Sequence, residues 1–278
     1  MERLPLDTKI IGLKLDSVES SWQAKDTILY ALGVGAQPEG ELDYVYEGKG
    51  PKVLPTYGVI AGLNAIAGFL GKVDVNPLMI LHGEQSIELF RPIPPKAKVV
   101  TESEIVAVWD KGKAAVVEIE ATTSDEQGAM FKNRSSLFVR GAGNFGGERG
   151  PSGSGEAPQK APDFSVTYET RPEQAAIYRL SGDINPLHID PDFAKAAGFD
   201  KPFIHGLCTY GFVGRAILNS ACEKDPEKFG YFKARFAERV YPGDEITTKL
   251  WKLEDGSFYV EASTDKGTAI SNGLFRLR

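Results

Sequence analysis

Histidine, cysteine and methionine are scarce in this chain: three, two and three among 278 residues. Two cysteines, Cys208 and Cys222, cannot build a disulfide framework. Both fall in one apolar segment, so we expect reduced, structural thiols and an intracellular setting. There is no basic stripe: 32 Lys and Arg are dispersed among 38 Asp and Glu, for a formal charge of -6. That balance argues against a nucleic-acid partner. No apolar run reaches the roughly 18 residues of a membrane span, so none is expected. The opening MERLPLDTKI has no signal-peptide core, and the closing FRLR does not match a peroxisomal S-K-L signal. What is present is ordinary for a globular protein: 42% hydrophobic and 25% charged residues.

One stretch is nearly empty of large apolar residues. GAGNFGGERGPSGSGEAPQKAP, residues 141–162, is rich in Gly, Pro and Ser and is expected to be a linker. It separates a first unit, 1–140, from a second, 163–278. The two resemble each other. At a shift of 148, Tyr30 and Leu32 fall on Tyr178 and Leu180, Gly58 falls on Gly206, and Pro94 falls on Pro242. SSLFVR (135–140) also echoes NGLFRLR (272–278), at a shorter shift. Two copies in the same order indicate duplication, not a solenoid.

Each copy repeats one order of elements. A short helix (26–32, 172–180) comes first, then a polar or Gly-rich loop, then a long apolar helix (58–70, 206–221). Alternating, β-branched segments follow and read as strands: 86–90, 99–109, 114–124 and 129–139, then 233–239, 245–253, 257–264 and 269–276. DKG (110–112) and EDG (254–256) mark turns between strands. GVIAGLNAIAGFLG carries no charge and GLCTYGFVGRAILN only Arg215, so both long helices are expected to be buried. A buried helix wrapped by an antiparallel sheet, twice over, gives an α+β double hot-dog.

The densest polar segment is Ser181-Gly-Asp-Ile-Asn-Pro-Leu-His-Ile-Asp190. Such a loop is ordinarily a capped polar turn. Here it gathers Asp183, Asn185, His188 and Asp190, and two of the chain's three histidines, His188 and His205, flank its exit. The first copy has Gly35 opposite Asp183 and Gly40 opposite His188. One working copy and one emptied copy point to a single site per chain. No zinc-like Cys/His spacing is present, and the loop lacks the ligands of an EF-hand, so no metal is expected. Gly33-Val-Gly35-Ala-Gln-Pro38 ends in proline where a dinucleotide loop needs glycine.

SGDINPLHIDPDFAKAAGFDKPFIHGLCTYGF resembles the signature of MaoC-like, type-2 enoyl-CoA hydratases. The resemblance spans the chain, through DTILYALGVGA, VLPTYGVI, LHGEQSIEL and KARFAERVYPGD. It implies reversible hydration of a trans-2-enoyl-CoA to a (3R)-3-hydroxyacyl-CoA in β-oxidation, without a cofactor. It assigns Asp183 and His188 to activating one water, Asn185 to orienting it, and the Gly206 N–H to the thioester oxygen. It also assigns substrate contacts to His82, Gly83, Lys111, Ile184, Pro186, Leu187 and Phe236, with Lys111 a phosphate partner for coenzyme A. The first unit is expected to house the acyl tail along helix 58–70, with Gly62 and Ala65 on its wall. His205 is expected to donate to loop backbone, and Asp190 to cap or to orient His188. A homodimer is implied, peroxisomal in a eukaryote and cytoplasmic in a bacterium. Three alternatives stay open: a dehydratase in a synthetic pathway, a thioesterase, and a non-catalytic acyl-CoA-binding subunit.

Overall fold

The computed structural model describes residues 3–151 and 155–278. Ten strands form one antiparallel sheet. From the first copy come β1 (Val18–Trp22), β2 (Ile80–Leu89), β3 (Ala97–Asp110), β4 (Ala114–Asp125) and β5 (Gly128–Arg140). From the second come β6 (Phe164–Glu169), β7 (Phe229–Phe236), β8 (Glu245–Lys252), β9 (Phe258–Thr264) and β10 (Gly267–Leu277). The spatial order β1-β3-β4-β5-β2-β7-β10-β9-β8-β6 reads the same from either edge once each strand is matched to its duplicate. The copies join where β2 pairs with β7. There Gln85 sits opposite Ala234, 149 positions later, next to the 148-residue shift of the sequence. Glu84 braces this seam by pairing with both Lys233 and Arg235.

Among the described residues six α-helices lie between the strands: α1 (Ala24–Gly33), a kinked α2 (Pro38–Val45), α3 (Val59–Lys72), α4 (Gln174–Tyr178), α5 (Pro191–Ala196) and α6 (Gly206–Asn219). Only α6 meets the expectation of burial: every residue from Leu207 to Leu218 is buried. Its small residues let the first copy approach closely. A Cβ on Gly211 would lie 2.4 Å from Val34, and one on Gly214 would lie 2.3 Å from Thr56. Tyr30 and Tyr178, duplicates of each other, meet with ring centroids 6.0 Å apart. By contrast α3 buries one face only, through Val59, Ala61, Gly62, Ala65 and Phe69. A charge-free sequence does not distinguish a helix covered on all sides from one that flanks a cavity.

The edge strands β1 and β6 and the short helices α2 and α5 were not anticipated. Both edge strands are short: β1 (VESSW) alternates weakly, and β6 (FSVTYE) alternates over six residues only. The Gly-rich stretch has neither helix nor strand among its described residues; Ser152, Gly153 and Ser154 lie outside them. It is nonetheless strapped down. The Asp110 carboxylate accepts from the N–H groups of Asn144 and Gly146, and Gly150 lies so close to Trp109 that a Cβ would stand 2.3 Å from its ring.

Candidate active site

The polar loop between α4 and α6 is built by its own short-range bonds. The Asn185 side chain accepts from Leu187 N at 3.1 Å, capping a 3-10 turn over Pro186–His188. Pro186 starts that turn, where its missing N–H costs nothing. Asp190 caps α5 by accepting from Asp192 N and Phe193 N, so its role is capping and not holding His188. The loop thus turns back, and Asp183, His188 and His205 present atoms within 4.8 Å of one another.

His188 is held by Phe203: Nδ1 lies 2.9 Å from the Phe203 carbonyl. A carbonyl only accepts, so Nδ1 carries the proton and Nε2 keeps its lone pair. His205 lies against it with ring centroids 3.9 Å apart. Its Nε2 donates to the Asp183 carbonyl at 3.1 Å, as expected for a histidine that fixes loop backbone. Its Nδ1 is buried without a partner. Gly206 opens α6 immediately after, and first-turn N–H groups have no intrahelical acceptor. A Cβ there would stand 3.3 Å from the Phe236 ring, which in turn packs against His82 at 5.2 Å between centroids.

Burial sets the charges. It pushes the Asp183 carboxyl up, with His188 pulling the other way. It lowers His188, against the Phe203 carbonyl and Asp183, which both favour the imidazolium. His82 is pushed down to about 4 and His205 to about 2, both chiefly by burial. Burial thus favours the uncharged form of each group, and the carboxyl and imidazole stand where they can share one proton.

These histidines give a stability prediction. The unfolded chain binds protons below about pH 6.5 that the folded chain refuses. Stability is complete above that value and is lost as pH falls toward the folded values. His82 and His205 together cost up to ~2.8 kcal/mol per pH unit between about pH 6.5 and the folded value of His82. The raised Asp183 acts in the opposite sense, but as one group against three. The melting temperature should fall steeply from about pH 7 to about pH 5; a flat profile contradicts the burial assignments.

Comparison with known proteins decides the family. Residues 20–141 match the model described as MFE-2 hydratase 2 N-terminal domain, and residues 154–272 match MaoC like domain. A protein named probable enoyl-CoA hydratase 2 from Dictyostelium discoideum is 40% identical, over 96% of this chain and 94% of that one. The chain belongs to the MaoC-like hydratase 2 family. A 3-hydroxyacyl-thioester dehydratase Y from Mycobacterium tuberculosis is also 40% identical, covering 91% of this chain and 90% of its own. The crystal structure of a MaoC-like dehydratase from Phytophthora capsici superposes with a TM-score of 0.87 at 30% identity, covering 98% of both chains.

The residues that the hydratase 2 resemblance marks do not all converge. Asp183, Ile184, Asn185, Pro186, Leu187 and His188 share the loop, and Ile184 is 69% exposed at its rim. Gly206, Phe236 and His82 form one contiguous wall. Gly83 follows His82 at a bulge in β2. Lys111 stands apart on the β3–β4 turn, where its Nζ donates to the Pro151 carbonyl at 3.1 Å.

Three features were missed by sequence reasoning. Phe203 holds His188 through its carbonyl and through its ring, edge-on at 5.1 Å between centroids, and no motif records it. Glu41 forms a buried ion pair with Arg215 at 2.7 Å, and the lone charge in an apolar helix was a legible sign that a partner existed. The third is a cavity of about 230 Å³ beside the loop, bounded by α3 and β1 and by Leu180 and Ser181. Gly62 and Ala65, expected on the tail wall, do not line it. Gly62 points at Asn133 in the sheet, where a Cβ would stand at 3.2 Å, and Ala65 is packed in the core with Phe69 and Ile105. Ile60 and Asn64, with Ala61 at the border of the buried face, line the cavity instead.

Proposed function

We propose that this protein is a hydratase 2 that adds water across the C2=C3 bond of trans-2-enoyl-CoA thioesters, giving (3R)-3-hydroxyacyl-CoA. The observation that carries the reading is the meeting of the Asp183 carboxylate and the proton-accepting Nε2 of His188 beside the start of α6. Conjugation makes C3 electrophilic only when the thioester oxygen is polarised. The Gly206 N–H, without an acceptor among the described residues, and the positive end of α6 supply that polarisation. Asp183 and His188 hold one water and take its proton as oxygen bonds to C3. A proton is returned to C2, so the elements of water are added in full. The Asn185 side-chain oxygen is occupied by Leu187 N, so Asn185 acts by shaping the turn that aims His188.

The same site runs in reverse, and the dehydratase named above supports a reversible reading. Offering the purified protein (3R)- and (3S)-3-hydroxyacyl-CoA separately tests it: only the (3R) isomer should give conjugated enoyl absorbance. Turnover of the (3S) isomer alone would overturn the stereochemical assignment.

The first copy contributes space in place of chemistry. Gly35 packs on α6 at φ +79°, where a Cβ would stand 2.5 Å from Phe212, and Glu41 is committed to Arg215. The acyl tail is assigned to the cavity bounded by Ile60, Ala61 and Leu180. Each methylene buried there contributes at most ~0.8 kcal/mol. Ala61→Phe should fill the cavity and lower kcat/KM for long-chain substrates by more than ~10-fold, with far smaller loss on crotonyl-CoA. Equal losses at both lengths in a folded variant would place the tail elsewhere. Lys111 is assigned to a coenzyme A phosphate, exchanging its bond to Pro151. A homodimer, and a peroxisomal home in a eukaryote or cytoplasmic one in a bacterium, extend the same family reading. Sedimentation at twice the 30.2 kDa chain mass would support the dimer.

A further inference from the structure

The cavity beside the loop is only half apolar. Alongside Leu29, Tyr57, Ile60, Ala61 and Leu180 it is lined by the polar residues Ser20, Ser21, Asp26 and Asn64, of which Ser20 shares the inward face of β1 with the buried Trp22. Ser20, Ser21 and Asn64 have no side-chain hydrogen-bond partner among the described residues, and Asp26 has no ion-pair partner among them. One Asp26 oxygen accepts from Gln23 N at 2.8 Å, leaving the other for a ligand. In solution such groups would be met by water. A bare polymethylene tail would strip that water and return no hydrogen bond, which offsets much of what its own burial contributes.

We propose, on the basis of the hydratase reading, that this cavity selects enoyl-CoA tails bearing a neutral hydroxyl and disfavours tails ending in a carboxylate. A hydroxyl both donates and accepts. It can donate to Asp26 while accepting from a serine hydroxyl or from the Asn64 amide, replacing the displaced water. A tail carboxylate accepts only, and it meets the like charge of Asp26 with no cation paired to that residue among those described. The selection acts on the tail and leaves the reacting atoms at Asp183 and His188 untouched.

The test uses three medium-chain trans-2-enoyl-CoAs of equal length, with a methyl, a hydroxymethyl or a carboxylate end, together with crotonyl-CoA. The wild-type protein should hydrate crotonyl-CoA. It should prefer the hydroxylated tail to the methyl-ended one by roughly 3- to 10-fold in kcat/KM, the net worth of one hydrogen bond. The carboxylate tail should rank last. Ratios measured within each variant cancel any general loss. Asp26→Asn keeps an oxygen for Gln23 N and should lift the carboxylate substrate relative to the other two. Asn64→Leu should shift preference toward the methyl end. Hydration of crotonyl-CoA with flat ratios across the three tails overturns the tail preference and leaves the hydratase reading standing. So do ratios unmoved by Asp26→Asn and Asn64→Leu. Failure to hydrate crotonyl-CoA overturns the hydratase reading, and the proposal with it.

Discussion

Asp183→Asn and His188→Ala should each lower the turnover of enoyl-CoA hydration by ~10²–10⁴-fold, the usual contribution of a general acid–base group. Neither should unfold the protein. Both side chains are only half-buried, and the turn that carries them is held by the Asn185 cap and the Asp190 cap. Asp183→Asn retains the shape and the backbone carbonyl that His205 holds, and removes only the charge. His188→Ala removes the Nε2 lone pair and leaves the Phe203 carbonyl free to take a water. The double variant should lose little more than the worse single one, because both groups act on the same water. The wild-type kcat/KM should fall on the acid side only below the ordinary imidazole range, since burial lowers His188. Near-normal turnover in either single variant, with the melting temperature unchanged, removes the proposed acid–base pair.

Arg215→Met should cost about 3–5 kcal/mol, which for a chain of this size is on the order of 10 °C in Tm. Arg215 is the one charge in α6, and it is 4% exposed. Its Nε donates to Glu41 at 2.7 Å, its Nη1 donates to the Val34 carbonyl at 3.0 Å, and its guanidinium lies 3.6 Å from the Tyr168 ring centroid. The loss comes mainly from what is left behind: a Glu41 carboxylate, 7% exposed, without its cation. Pairing Arg215→Met with Glu41→Gln should therefore recover a large part of the stability, as the surviving side chain is then neutral. Thermal unfolding of the single and double variants checks this. Additive losses would show that the pair is not coupled. The pair also explains what became of the emptied loop. Gly35, opposite the acid of the second copy, and Glu41, one residue past the glycine opposite its imidazole, now seat the first copy on α6.

The duplication was legible because it is written in matched positions, such as Tyr30 with Tyr178 and Gly58 with Gly206, and the sheet repeats it strand for strand. The loop was legible because acid, amide and imidazole crowd into one short segment where the duplicate has glycines. Other features depend on three-dimensional packing. Glu41 and Arg215 lie 174 positions apart in the chain, and Phe203 meets His188 from 15 positions away. The face of α3 that borders the cavity follows from how the helix is rotated against β4 and β5, and apolar composition is silent on rotation. Gly62 and Ala65 are as small and apolar as Ala61, yet they face Asn133 and the core. The linker's composition signals loop, but its tethering requires the Asp110 carboxylate from a distant hairpin.

The most direct measurement is hydration of crotonyl-CoA by the purified protein, followed by loss of the conjugated enoyl absorbance and chiral analysis of the product. Steady turnover to (3R)-3-hydroxybutyryl-CoA is expected without added metal or cofactor, falling by ~10²–10⁴-fold in Asp183→Asn. An unchanged enoyl absorbance, or a (3S) product, would contradict it.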